Sequence, residues 1–147
     1  MAAEGVHLAL TYSTNRAKLE ELVLELMQLP DFDVNISMHQ VDLSSPLEIE
    51  NLLSEVKKQH TEPVSILVAN AGYGKRIVNI WDIELDQFEH TFNVNLRAPF
   101  LMVKGVVEGM KNQSWGRIIF ISSIAASGGG INGCRKSFQL PGKSIHH

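Results

Sequence analysis

Residues 64–72 read Val-Ser-Ile-Leu-Val-Ala-Asn-Ala-Gly, an apolar run that stops at a small, polar turn. Pro63 precedes the run and Gly74 follows the turn, so breakers bound it on both sides. A short continuous apolar run fits a strand covered on both faces, as in the interior of a parallel sheet. Parallel neighbours need long crossovers, so the flanking sequence should be helical. On the N-terminal side, Ser45-Pro46-Leu47-Glu48 has the form of a capping box, with Ser45 as N-cap, Pro46 at the first helical position and Glu48 at the third. Ile49, Leu52, Leu53 and Val56 then recur at helical spacing. On the C-terminal side a long helical segment is predicted over 85–110, with Leu85, Phe88, Phe92, Leu96, Val103 and Val107 along one side. Gly116 then turns the chain into a second buried strand over 117–121, which ends at Ser122-Ser123.

Further out the same alternation holds. Residues 6–12 form an apolar strand, and residues 16–27 a helix whose Leu19, Leu22, Val23 and Leu26 face a core, stopped by Pro30 and Asp31. Val34, Ile36 and Met38 alternate with polar residues up to Asp42, which predicts a strand with one side less covered, as at a sheet edge. Residues 1–5 read as the last turn of a helix with Gly5 as its C-terminal cap. Pro99 has no N–H, so the Asn95 carbonyl four residues earlier loses its helical partner; a bend is predicted there, with that carbonyl able to accept from water. Repeated strand–helix order predicts an α/β fold, helices on both faces of a parallel sheet, over residues 1–127. Residues 128–147, with Gly128-Gly129-Gly130, Asn132-Gly133 and Pro141-Gly142, lack periodicity and are predicted to be an irregular tail.

Composition narrows the classes of function. A length of 147 residues suggests one core, and a net charge of −3 argues against binding to nucleic acid or an anionic membrane surface. The one cysteine, Cys134, allows no internal disulfide and no cysteine-based zinc site, and the histidines lack a metal-binding spacing, so no metal is expected. No signal-peptide pattern and no run near the ~20 apolar residues of a membrane span is seen, so a cytoplasmic protein is expected.

In open parallel sheets ligands gather beyond the carboxyl ends of the strands. The polar residues at those ends are Ser13-Thr14-Asn15-Arg16, Asp42, Asn70-Ala71-Gly72 and Ser122-Ser123, with Asn95 in the helix between the last two strands. In this order, over about residues 2–133, they resemble the short-chain dehydrogenase/reductase family. That resemblance implies a Rossmann-like doubly wound sheet and hydride transfer between a nicotinamide cofactor and a carbonyl or secondary alcohol. It implies that Asp42 meets the adenine amino group while Leu43 packs on the ring. It also implies that Asn70, Ala71 and Gly72 let the backbone approach the cofactor ribose. Ser123 matches the serine that hydrogen-bonds the substrate carbonyl, and Asn95 the helix asparagine that holds a water in the proton relay.

The tip of the first strand bears on which nicotinamide cofactor is used. An NAD enzyme usually has an acid there for the ribose hydroxyls, whereas Tyr12-Ser13-Thr14-Asn15-Arg16 offers hydroxyl, amide and guanidinium donors that suit the 2′-phosphate of NADP. Thr14 or Asn15 would equally serve as a helix N-cap, and both uses share the same helix end.

Two departures weaken the expected activity. The family opens with a strand and a Thr-Gly-x-x-x-Gly-x-Gly loop whose N–H groups cradle the diphosphate, and this sequence contains neither. The missing strand would lie between those at 6–12 and 64–69, so the chain is expected to be truncated, its sheet incomplete and its stability poor. About thirteen residues after the serine the family places Tyr-x-x-x-Lys, its proton donor and the lysine that tunes it. Here Lys136 stands at the tyrosine position and Leu140 at the lysine position, and the match ends after Cys134 as a change of reading frame or exon boundary would end it. The expected function is therefore an NADP-dependent oxidoreductase by descent, nearest to 3-oxoacyl-(acyl carrier protein) reductases, in a chain that is itself inactive. The competing reading is a non-catalytic protein that associates with copies of itself or related subunits through the 85–110 helix. A flavodoxin-like or receiver domain would need an acidic pocket after the first strand, which Thr11-Tyr12-Ser13 does not supply.

Overall fold

A computed structural model of the chain describes residues 1–29, 33–75 and 77–123. Residues 30 and 31, the expected helix stop, and the expected tail at 128–147 with Lys136 lie outside the described residues. Length suggests one core, but the contacts fall into two compact units, Met1–Pro63 and Val64–His147. Each unit holds its own two-stranded parallel sheet.

The first unit is built from β1 (Leu8–Tyr12), α1 (Arg16–Leu26), β2 (Ile36–Gln40) and α2 (Pro46–Gln59). It is preceded by a single 3-10 turn, Ala2–Glu4, closed by Gly5 at φ 75°, a left-handed backbone that an L side chain would strain. β1 and β2 run parallel from Leu8 opposite Ile36 to Tyr12 opposite Gln40, and Val41 N–H donates to the Tyr12 carbonyl one step beyond. α1 packs on both strands and α2 on β2. α2 is the best-covered helix of the unit. Ile49, Leu52 and Val56 are buried, as their spacing predicts. Its capping box is rearranged, however. Ser45 Oγ accepts from Glu48 N–H at 3.3 Å, while the Glu48 carboxylate reaches past Ser45 to the Asp42 N–H at 2.7 Å.

One expectation for this unit is reversed and another holds in part, since Leu19, Val23 and Leu26 of α1 are half-buried as expected. In β2 the polar residues face inward: Ser37 is 5% and His39 2% exposed, while Ile36 and Met38 are half-buried. α1 and α2 both pack on the strand, and the polar face is acceptable because its groups bond one another and α2. In α1, Leu22 is exposed and no residue is fully buried, because the helix covers only two strands.

The second unit contains β3 (Ile66–Ala69), a 3-10 turn at Ile80–Asp82, α3 (Leu85–Phe92), a π turn at Asn93–Arg97, α4 (Ala98–Asn112) and β4 (Arg117–Phe120). β3 and β4 are parallel with Ile66 opposite Arg117 and Ala69 opposite Phe120, and α4 packs on β3. Where Pro99 predicts a bend, the helix holds a π turn: Ala98 N–H donates to the Asn93 carbonyl five residues back. This extra residue breaks the expected stripe. Leu85, Leu96 and Val107 are exposed, and the side that α4 buries is instead Ala98, Val106 and Met110. The strands also differ from the fully covered ones expected, for Val68, Ile119 and Phe120 are exposed among the described residues.

Candidate functional site

The residues singled out in the sequence fall into two groups, one in each unit, and each group lies at the carboxyl ends of its parallel strands. In the first unit, the β1–β2 register ends at Tyr12 and Gln40, so Ser13–Arg16 and Asp42–Leu43 leave the sheet side by side. Gln40 Nε2 donates to the Ser13 carbonyl at 3.0 Å, fixing the β1 exit to the neighbouring strand. Ser13 and Thr14 are exposed. Asn15 is the N-cap of α1, its Oδ1 accepting from Lys18 N–H at 3.1 Å. Arg16 is engaged by Glu20 one turn along, Nε to Oε1 at 2.7 Å, and this hydrogen bond and charge hold its guanidinium pKa above the usual value. Since that bond uses Nε, it orients the planar fork of an exposed guanidinium. Asp42 Oδ1 accepts from Ser44 N–H at 2.8 Å, so Asp42 both ends the strand and shapes the turn into α2. Leu43 beside it is half-buried.

In the second unit, Arg117 N–H bonds the Ser65 carbonyl and Ile121 N–H the Ala69 carbonyl, so Ser122 and Ser123 emerge next to Asn70. Asn70–Gly72 form the turn, with Asn70 N–H donating to the Val68 carbonyl at 3.1 Å. Asn95 reaches the same turn from the π segment. Its Oδ1 accepts from Tyr73 N–H at 2.7 Å, and its Nδ2 donates to the Tyr73 carbonyl at 2.8 Å. The amide thus clasps one residue through both backbone groups. A Cβ added at Gly72 would meet only Asn95 Oδ1, at 3.7 Å, an ordinary contact. The protein itself therefore does not require glycine there, and the open space fits a ligand's approach to the backbone.

Sequence reading missed three participants. Tyr73 carries the clasp and packs edge-on against His90 at 4.4 Å. Gln40 and Glu20 hold the β1 tip and Arg16. Only Glu20 had a legible signal, four residues after Arg16 on a predicted helix. Among the described residues no cluster could hold a metal ion, and no helix is long and apolar enough to cross a membrane.

Comparison with known proteins defines the class. The family model described as short chain dehydrogenase matches residues 1–135. The chain belongs to the short-chain dehydrogenase family. It is 26% identical over 130 residues to an NADPH-dependent aldehyde reductase-like protein of Arabidopsis thaliana, covering 84% of this chain and 48% of the relative. It is 29% identical over 125 residues to a 3-oxoacyl-(acyl-carrier-protein) reductase of Rickettsia bellii, covering 85% of this chain and 46% of the relative. The chain thus spans about half the length of the curated relatives it matches. Among solved structures, a metagenomic short-chain oxidoreductase in complex with NADP superimposes with a TM-score of 0.80 at 25% identity, over 91% of this chain and 58% of that one. A short chain dehydrogenase from Burkholderia cenocepacia, also in complex with NADP, gives 0.79 at 24% identity over 94% and 54%. These likenesses agree with the Rossmann-like fold.

Proposed function

We propose that this chain carries the adenosine-phosphate and substrate-serine portion of an NADP-dependent carbonyl reductase and does not turn over by itself. The observation that carries the cofactor reading is the tip of β1, where exposed Ser13 and Thr14 precede the capped helix start at Asn15 and the oriented fork of Arg16, with no carboxylate between Tyr12 and Arg16. Those donors would hold a 2′-phosphate, which a carboxylate at the same place would repel. Asp42 and Leu43 at the adjacent exit of the same unit would face the adenine; in the second unit, taken by itself, the room beyond Gly72 suits close approach of a ligand to the backbone at Asn70, Ala71 and Gly72. Relatives named as an NADPH-dependent aldehyde reductase-like protein and a 3-oxoacyl reductase, and neighbours crystallised with NADP, support the same class, and within it a ketone or 3-oxoacyl group is our reading of the substrate.

The bound nicotinamide would supply the hydride. Ser123 would donate its hydroxyl to the substrate carbonyl oxygen and stabilise the charge that develops there. Asn95, its side chain spent on Tyr73, would hold a water on its main-chain carbonyl. The two tyrosines of the sequence, Tyr12 at the end of β1 and Tyr73 in the turn after β3, are not followed four residues on by a lysine, as the family's Tyr-x-x-x-Lys would require. Loss of the general acid costs on the order of 10²–10⁴ in rate.

The test is a titration of the full chain with NADPH and with NADH, read by fluorescence of Trp81 and Trp115 and by melting temperature, alongside a ketone-reduction assay. The expected result is binding that favours NADPH, weakened by Arg16→Ala, without turnover. Equal response to both cofactors would remove the 2′-phosphate reading, and measurable reduction would remove the claim of inactivity.

A second reading, association with copies of itself or related subunits, is favoured by one observation. Phe100 and Val107, two turns apart on α4, are 63% and 46% exposed.

A further inference from the structure

The buried face of β2 holds a continuous polar chain that the cofactor reading does not use. His60, at the C-terminal cap of α2, places Nε2 2.8 Å from Ser37 Oγ. The same hydroxyl lies 2.8 Å from His39 Nε2, and His39 Nδ1 lies 3.2 Å from Glu55 Oε2. Ser37, His39 and Glu55 have the spacing of a nucleophile, a base and an orienting acid. The hydroxyl is nevertheless almost wholly buried and His60 occupies its remaining side, so no acyl group can reach it. The chain serves another purpose.

Hydrogen-bond accounting gives the chain a direction. The Glu55 carboxylate only accepts, so neutral His39 carries its proton on Nδ1 and presents a bare Nε2. Ser37 therefore donates to His39, and its oxygen accepts from His60 Nε2–H. Every member is satisfied with both imidazoles neutral. From this geometry we infer that His60, Ser37, His39 and Glu55 form an acid-sensitive latch that fastens the start of β2 to the end of α2. Among the described residues, the groups that face it come from β2 (His39), from α2 (Glu55 and the His60 cap) and from the segment before β1 (His7). His7 itself is held by accepting on Nδ1 from Asn35 N–H, while Asn35 Nδ2 donates to the Gln59 carbonyl beside the latch.

Burial first, and then the imidazoles of His7 and His39, hold the His60 pKa below its ordinary 6.5. The sign follows. Above the unfolded value of 6.5, His60 is neutral in both states and its contribution to stability is fully present; an added proton would go to Nδ1 and leave the Nε2–H bond to Ser37 in place, so acid acts through the half-buried charge and not by breaking that bond. As pH falls through that value the unfolded chain binds the proton first, so stability is lost on acidification down to the lowered folded value. A positive His60 would also face two further imidazoles, which Glu55, more than half exposed, offsets weakly.

The test uses the full chain. Melting temperature is followed from about pH 7.5 to about pH 5.5, the window in which histidine titrates, for the wild type, His60→Gln and Ser37→Ala. The wild type should lose melting temperature as pH falls, and His60→Gln should flatten that slope. The losses from Ser37→Ala and His60→Gln at the upper pH should combine in the double variant to less than their sum. A His60→Gln slope equal to that of the wild type, or fully additive losses, overturns the latch. Should a variant fail to fold, nitrogen-15 spectra of the wild-type imidazoles decide: the latch requires the proton on Nδ1 of His39 and on Nε2 of His60, and the opposite tautomers refute it. None of these readouts depends on cofactor binding.

Discussion

Gly116 shows how much a single position can hide. In the sequence it is a breaker before β4, which is true but incomplete. A Cβ at this site would lie 2.6 Å from Met110 Cγ and Sδ and 2.7 Å from Met110 Cβ, and Met110 is buried. The Met110 Cβ is tied to the backbone of α4, so the side chain cannot simply swing away. Gly116→Ala should therefore destabilise the chain by about 1–3 kcal/mol, as overpacking does, and urea unfolding measures the loss. Ser37 and His39 show the same limit of residue-level reading. Alternation located β2 correctly, but polarity alone chose the wrong face, since only coordinates reveal that two imidazoles, a hydroxyl and a carboxylate satisfy one another. Asn15, Asp42, Asn70 and Ser123 were legible because strand ends can be read from where apolar runs stop.

At the scale of elements, the start of α2 was the clearest feature of the sequence and matches the structure, with Ser45 as N-cap and Pro46 in the first turn. Replacing Ser45 by Ala should cost about 0.5–2 kcal/mol, and Glu48→Ala should add a loss of its own by freeing the Asp42 N–H it accepts from at 2.7 Å. Chemical denaturation with an unchanged m-value checks both, and a gain in stability from either would contradict the cap. The 85–110 helix was legible as helical but not in its facing. Periodicity assumes 3.6 residues per turn throughout, and the π turn at Asn93–Arg97 breaks that assumption. Pro99 announced a bend at this point and not the π turn that the chain adopts.

For the whole molecule, the α/β class and the order of elements follow from runs, caps and breakers, whereas the grouping into two compact units depends on which ladders exist. Each sheet has two strands and leans on its helices, the least that gives a sheet stability of its own. Apolar surface remains exposed at Val68, Ile119 and Phe120 on the strands and at Phe100 and Val107 on α4. Side chains of this size drive association when grouped on one face. Light scattering after gel filtration should therefore give a mass above one chain, and Phe100→Glu should move it toward one chain while leaving the far-ultraviolet circular dichroism unchanged. A wild type that elutes as a single chain would leave the helix without the proposed role.

The wide turn at Asn93–Arg97 has a consequence for how this chain could vary. One surplus residue there sets the azimuth of everything after it: excising it would smooth α3 into α4 and swing Ala98, Val106 and Met110 by about 100°, away from their packing. The same excision would withdraw Asn95 from Tyr73. Length at this point is thus pinned from two directions, by the grip on a loop upstream and by the inward ridge of a helix downstream, and a deletion tolerated elsewhere on the surface would here dismantle both together.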